Sequence, residues 1–297
     1  MTQGVLVVAR NNEVIDYVKQ AAFLADSVKK LLGLPTSVIT DSPEYLEKNN
    51  HRDKFDKVIP IVWTKDKLAD DKSNVLSKGD QHFLRRYRDG TLSAKSLQFK
   101  NEMRSGAFDV TPYDETLLLD TDIVLMNDVY KHCFTQPHDF LIYDKSYDLA
   151  GFRDKYEFKF ISDTGAHFYW ATAVFFRKTE TNKIFFDLVS HIQENWYHYR
   201  SIFQIPASLF RNDFAFSIAV HIMNGYQEGD FAKPMPGKLF FTTDKDILWD
   251  KTKDGLFMLL EKEEYLGEYT AAHWKKQNLH VMNKFSLERY INKVTNV

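Results

Sequence analysis

Cysteine is nearly missing from this 297-residue chain, in which Cys133 stands alone. No intrachain disulfide can form, and nothing implies an oxidising compartment. Missing too is any apolar stretch near the ~20 residues that a membrane-spanning helix needs. The opening MTQGVLVVARNN has neither a basic leader nor an apolar core with a cleavage site, and no Asn-x-Ser/Thr sequon occurs. These absences predict a cytoplasmic protein without a membrane span. Charge of one sign is lacking as well: 39 Lys and Arg face 41 Asp and Glu, for a formal net charge of -2. No long-range field therefore draws the chain to nucleic acid or anionic lipid. Neither internal repeats nor low-complexity segments are present.

What is present is an alternation of strand and helix signals. Val5 to Ala9 is a continuous apolar run, as in a strand covered on both faces. Val14, Val18, Ala21, Ala25, Val28 and Leu32 then share one face of a helix, which Gly33 and Pro35 stop. Thr36 to Thr40 reads as a second strand, Ser42-Pro43-Glu44 as a helix start, and Val58 to Trp63 as a third strand. A βαβαβ opening of this kind predicts a parallel sheet with right-handed crossovers. Residues 64 to 92, with KDKLADDKSN and RRYRDG, read as a solvated connection or lid, RRYR being open to a second reading as a phosphate-facing patch. Ser93 to Arg104 reads as a helix and Glu115 to Leu125 as the most apolar strand. Further on come strand material at His167 to Arg177, helices at Asn182 to Tyr199 and Asp213 to Met223, and loops around PMPG. The 24 Phe and 15 Tyr suit core packing and also stacking against sugar or base rings.

The segment ETLLLDTDIVLMND carries the chemistry. Asp120 and Asp122, separated by Thr121, follow three leucines. On an extended strand the two carboxylates point the same way, about 7 Å apart, and can turn to one ion at the strand's C-terminal edge. Open α/β sheets bind ligands at that edge. Hard oxygen donors suit Mg²⁺ or Mn²⁺, which can bridge two phosphates and neutralise a diphosphate leaving group. The chain holds its own control: Asp244 and Asp246 share the spacing, sit in TTDKDILWD without an evident buried strand before them, and read as turn or surface residues.

TPYDETLLLDTDIVLMND resembles the central segment of GT-A nucleotide-sugar transferases of the glycogenin-like group: a proline-aromatic-aspartate loop, an apolar strand, Asp-x-Asp and a further aspartate. Other pieces fall in that family's order. VLVVARNN is similar to the nucleotide-binding first unit, SVITD to the second strand, IFFDLVSHIQENW and RNDFAFSIAVH to later helices, and LHVMNK to a late His and Lys. The resemblance implies one α/β domain of GT-A type over 1–297, with a mostly parallel central sheet flanked by helices. Residues 1–130 would form its nucleotide-binding half and 131–297 its acceptor-side half.

The activity implied is transfer of a hexose from a nucleoside diphosphate sugar, UDP-linked in expectation, to an acceptor hydroxyl. Asp120, Asp122 and His280 would ligate Mn²⁺ or Mg²⁺, while Lys284 would meet the diphosphate. Ala9, Arg10, Asn11, Asp41, Lys95 and Thr121 are candidates for nucleotide contacts. Lys95, Lys100 and Arg104, read on one helix, offer a basic stripe. Asp213 is the candidate catalytic carboxylate, or else caps its helix. Two departures stand out: Ala171, Thr172 and Ala173 replace an expected Asn-x-Gly, and Phe214 follows Asp213 where Gln is usual. They leave acceptor identity and stereochemistry open. Two rival readings are a haloacid-dehalogenase-like phosphohydrolase using Asp120 and Asp122, and a GT-A-like binding module without catalysis.

Overall fold

The computed structural model describes residues 1–61, 84–100, 102–151, 153, 159–206, 209–262 and 267–295. The KDKLADDKSN run and the end of the expected third strand, Val62 and Trp63, lie outside them. The chain opens with β1 (Gln3–Ala9), α1 (Tyr17–Leu31), β2 (Thr36–Thr40), α2 (Pro43–Lys48) and β3 (Val58–Pro60). There follow β4 (Leu84–Asp89), β5 (Ser93–Gln98), α3 (Ala107–Val110), β6 (Glu115–Leu119) and β7 (Ile123–Val124). Next come β8 (Phe140–Tyr143), β9 (Ser146–Asp148), β10 (Phe160–Ile161), β11 (Ala166–His167) and β12 (Trp170–Arg177). Helices α4 (Glu180–Glu194), α5 (Trp196–Ile202) and α6 (Asn212–Met223) precede β13 (Lys233–Pro234) and β14 (Leu239–Thr242). The last elements are β15 (Ile247–Thr252), β16 (Gly255–Glu261), β17 (Tyr269–Trp274), β18 (Leu279–Val281) and α7 (Lys284–Thr295).

The central sheet runs β13-β8-β12-β6-β1-β2-β3. Its β3-β2-β1-β6 half is parallel, as the βαβαβ opening and the apolar run of β1 predict. Strand β12 is antiparallel to both β6 and β8, so the sheet is mostly rather than wholly parallel. Pro234 sits on its β13 edge, where a missing N–H costs no ladder bond. Leu117, Leu118 and Leu119 are fully covered, each contributing roughly 1.5–3 kcal/mol by leaving water. The aromatic residues go largely into this core: Phe176 and Phe186 lie 4.7 Å apart, centroid to centroid, among a cluster that includes Phe185 and Phe216.

Helix α1 starts at Asp16, whose carboxylate accepts the Lys19 N–H, and ends before Gly33, held at φ 69°. Val14 precedes that start. Its amide and that of Ile15 donate to Asn12 Oδ1, so the expected apolar stripe begins at Val18. The helix expected over 182–199 breaks at Asn195 into α4 and α5.

Three expectations fail outright. Ser93 to Arg104 is no α-helix: β4 and β5 form an antiparallel hairpin turned over Gly90-Thr91-Leu92, with Gly90 at φ 75°, and only Glu102–Arg104 makes a 3-10 turn. One hairpin face buries Tyr87 and Leu97 beside Ile15, which stabilises strand over the helix its lysine spacing suggests. The strand expected to reach Leu125 ends at Leu119; the chain turns at Asp120 to Asp122 and re-enters a second sheet, β7-β18-β14-β9. Finally, Asp244 and Asp246 do follow a buried strand, β14, and Asp246 is only 1% exposed. A third sheet, β15-β16-β17, is antiparallel. Among the described residues no helix is long and apolar enough to cross a membrane.

Candidate functional site

Parallel pairing brings the C-terminal ends of β1, β2 and β6 to one edge. There a cleft of about 630 Å³ opens, lined from both halves of the chain. Asp120 leaves β6 with its amide donating to the Thr172 carbonyl at 2.9 Å, and Asp122 accepts the Val281 N–H on its own carbonyl at 3.0 Å. The two-residue strand β7 pairs Ile123 with His280. This register sets His280 beside the turn, 158 residues away in sequence, with Nε2 donating to Asp122 Oδ2 at 2.9 Å.

One donor atom each from Asp120, Asp122 and His280 lies within 4.8 Å of the others. Two carboxylates and an imidazole suit Mn²⁺ or Mg²⁺, and the residues fit such an ion. Asp122 lines the cleft, and its Oδ1 takes no hydrogen bond among the described residues. His280 is buried, with burial holding its pKa below the ordinary imidazole value, against the pull of Asp120 and Asp213. A neutral imidazole is the form that ligates metals. Its Nδ1 is buried without a hydrogen-bond partner.

Cations crowd this pair. Arg104, 4% exposed, holds Asp120 Oδ1, and the Lys284 ammonium at the start of α7 meets the same Asp122 Oδ2 as His280. Burial and the nearby Arg85 charge bring Lys284 down to about 7, opposed by Asp120. Nε and one terminal nitrogen of Arg104 are buried without partners. Such donors cost free energy unless a ligand meets them.

The other expected residues divide. Arg10 lines the cleft and pairs with Asp41 at 3.2 Å; Asp41 itself stands behind it, 3.6 Å from Lys100. Asn11 caps the incoming end of α1 through the Val18 N–H at 2.9 Å, and its carbonyl accepts from Lys100. Ala9 is buried at the end of β1 and outside the lining. Thr121 lines the cleft. Lys95 is exposed on β5 and outside the lining, so the expected Lys95–Lys100–Arg104 stripe does not exist, while Lys100 and Arg104 reach the cleft from the connection after β5. Asp213 lines the opposite wall in the first turn of α6, which Arg211, not Asp213, precedes as cap. Its Oδ1 accepts the Ala171 N–H at 2.9 Å and its Oδ2 meets Arg211 at 2.5 Å.

Sequence reasoning passed over Arg153, Arg211, Tyr147, Asp148 and Trp170, all in the lining. Arg153 is buried between Asp148 and Asp246, an arrangement no local pattern announces. Arg85 had a signal, the RRYR run, and strand alternation turns Arg85 and Tyr87 inward while Arg86 stays exposed. Among the described residues the cleft holds seven basic side chains against four aspartates. Six of the seven have carboxylate partners: Arg10 and Lys100 share Asp41, and Arg104, Arg153, Arg211 and Lys284 have those named above.

No protein-family model and no curated protein sequence matches the chain. Among solved structures, it is similar to an active-site variant of LgtC, with 10% identity over 94% of this chain and 86% of that one and a TM-score of 0.45. It is also similar to the glycosyltransferase GlyE of Streptococcus pneumoniae TIGR4, at 8% identity, 79% of this chain and a TM-score of 0.40. The PaToxG glycosyltransferase gives 12% identity over 75% of this chain and 69% of that one, with a TM-score of 0.40. The chain spans 45% of the length of the GlyE chain. Identities this low assign no residue a role.

Proposed function

We propose that this cleft holds a nucleoside diphosphate sugar, UDP-linked, and that the protein transfers its hexose to an acceptor hydroxyl. The observation that carries the reading is the convergence of Asp120, Asp122 and His280 at the C-terminal edge of the parallel strands, inside a cleft with an excess of cations. Asp120, Asp122 and His280 would hold Mn²⁺ or Mg²⁺, which when bound neutralises charge on the diphosphate leaving group. Lys284 and Arg104 would turn their donors to phosphate and sugar oxygens, satisfying the unpartnered Arg104 nitrogens. Residues 1–130 would hold the nucleotide, through Arg10 and Thr121 in the lining with Asn11 and Asp41 behind them, and 131–297 would face the acceptor. Each oxygen of Asp213 already accepts one hydrogen bond and keeps a second lone pair for an acceptor hydroxyl. The fixed carboxylate can then orient that hydroxyl and take its proton. Three donor atoms within 4.8 Å of one another, an imidazole nitrogen among them, favour a shared ion over the separate nucleophile and acid of a phosphohydrolase.

A thermal-shift panel of nucleotide sugars with and without Mn²⁺ tests the reading. A ligand at about 100 times its Kd stabilises the folded state by about 2.7 kcal/mol. A UDP-sugar shift that requires Mn²⁺ and vanishes in Asp122→Asn is expected. No shift with any nucleotide sugar would remove the proposal.

A further inference from the structure

We propose that Arg85, on the β4–β5 hairpin, is a standing cation for the donor diphosphate, an anchor that acts with or without the ion at Asp120 and Asp122. This rests on the donor reading above. Every other basic side chain lining the cleft has a carboxylate partner, whereas Arg85 has none among the described residues. Its guanidinium lies 5.2 Å from the Tyr87 ring centre and 5.3 Å from that of Phe99. Ring faces attract and orient a cation, yet they leave its charge unneutralised. Asp244 lies within range of this charge but forms no ion pair with it, so the half-buried guanidinium keeps its donors for the cleft it lines.

The hairpin is held in place before any ligand arrives. Asp89 takes two bonds from Arg289, each of 2.7 Å, Tyr87 and Tyr17 join through their hydroxyls at 3.0 Å, and Thr91 Oγ1 donates to Glu261 at 3.0 Å. A cation on a fixed frame loses little entropy on meeting its anion. Arg104 and Lys284 line the same cleft and are held by the carboxylates that would ligate the ion, so with the ion bound they would be free to join Arg85 in facing a ligand. A diphosphate, with several charged oxygens close together, is the group that such donors suit.

Isothermal titration of the full chain with UDP, uridine and inorganic pyrophosphate, each with Mn²⁺ and with a chelator, tests this. Arg85→Gln is expected to weaken UDP and pyrophosphate about tenfold, the loss of one charge-assisted contact. Its affinity for uridine should stay unchanged, and Arg85→Lys should fall between the two. Unchanged UDP affinity in Arg85→Gln would overturn the proposal. So would an equal loss for uridine, which would mark a distorted cleft rather than a lost phosphate contact. If the wild-type chain binds neither UDP nor uridine, the donor reading fails, and pyrophosphate alone decides: a loss in Arg85→Gln keeps the anion site, and no binding or no loss ends it.

Discussion

The chain carries two Asp-x-Asp turns that invite comparison, Asp120–Asp122 after β6 and Asp244–Asp246 after β14. Both leave buried strands, and the second aspartate of each is buried. Their partners differ. Asp246 Oδ1 accepts from Arg153 at 2.7 Å and from the Glu261 N–H at 2.9 Å. Its Oδ2 accepts from Arg153 at 2.9 Å and from Thr243 N–H and hydroxyl at 2.7 and 3.1 Å. Five fixed donors leave no lone pair for an ion. Asp122 uses Oδ2 alone, on the side chains of a lysine and an imidazole. Spacing thus says nothing by itself: a carboxylate fully met by backbone and guanidinium is a joint, and one with an oxygen left over is a candidate site.

Breaking the joint should have the largest effect. Asp246→Asn must turn an NH₂ group toward donors whichever way the amide lies, and Arg153 stays buried. We expect a loss of about 3–5 kcal/mol in chemical denaturation, against about 1 kcal/mol or less for Asp122→Asn, whose oxygen can still face Lys284. Equal losses would erase the distinction between the turns. Next, Lys284→Ala should free Asp122 Oδ2 and strengthen binding of Mn²⁺ alone, by about three- to tenfold, as one competing cation is removed. UDP binding in Mn²⁺ should weaken in the same variant. Unchanged Mn²⁺ affinity in a titration would mean that Lys284 does not compete for the oxygen.

The smallest effect belongs to Asp244. Burial raises its pKa, against the pull of Arg85, Arg88 and Lys245. The folded chain therefore holds this proton more tightly than the unfolded one, so its contribution is present below the unfolded pKa and is lost as pH rises through the folded value. Asp244→Asn should stabilise slightly at neutral pH, with the gain disappearing as pH falls through the carboxylate range. A gain that persists in acid would point to another cause.

The parallel half of the central sheet was legible because both faces of β1, β2 and β6 are covered, so that β1 and β6 carry apolar runs and β2 is β-branched in four of its five residues. Asp120 and Asp122 were legible for the same reason, since the run LLL marks where a buried strand ends. The hairpin was not, because its polar, lysine-spaced second strand has only Leu97 buried and depends on Tyr87 and Ile15 for its conformation. Nor was the burial of Asp246, which needs Arg153 from 93 residues upstream. Arg85 fell between: the charge run was visible, but which arginine faces inward depends on a strand alternation that the reading of 64–92 as a connection left out.

The short strand β7 has a consequence for how the protein comes into being. It joins the turn of Asp120 and Asp122 to His280 through one register pair, Ile123 with His280. The intervening chain must already have returned before that pair can close, and long closures are the slow steps of folding. The strands of the parallel half need no such closure, whereas His280 reaches the two aspartates only when the last strand docks. On the proposed reading, the three candidate ligands come together only in the finished chain.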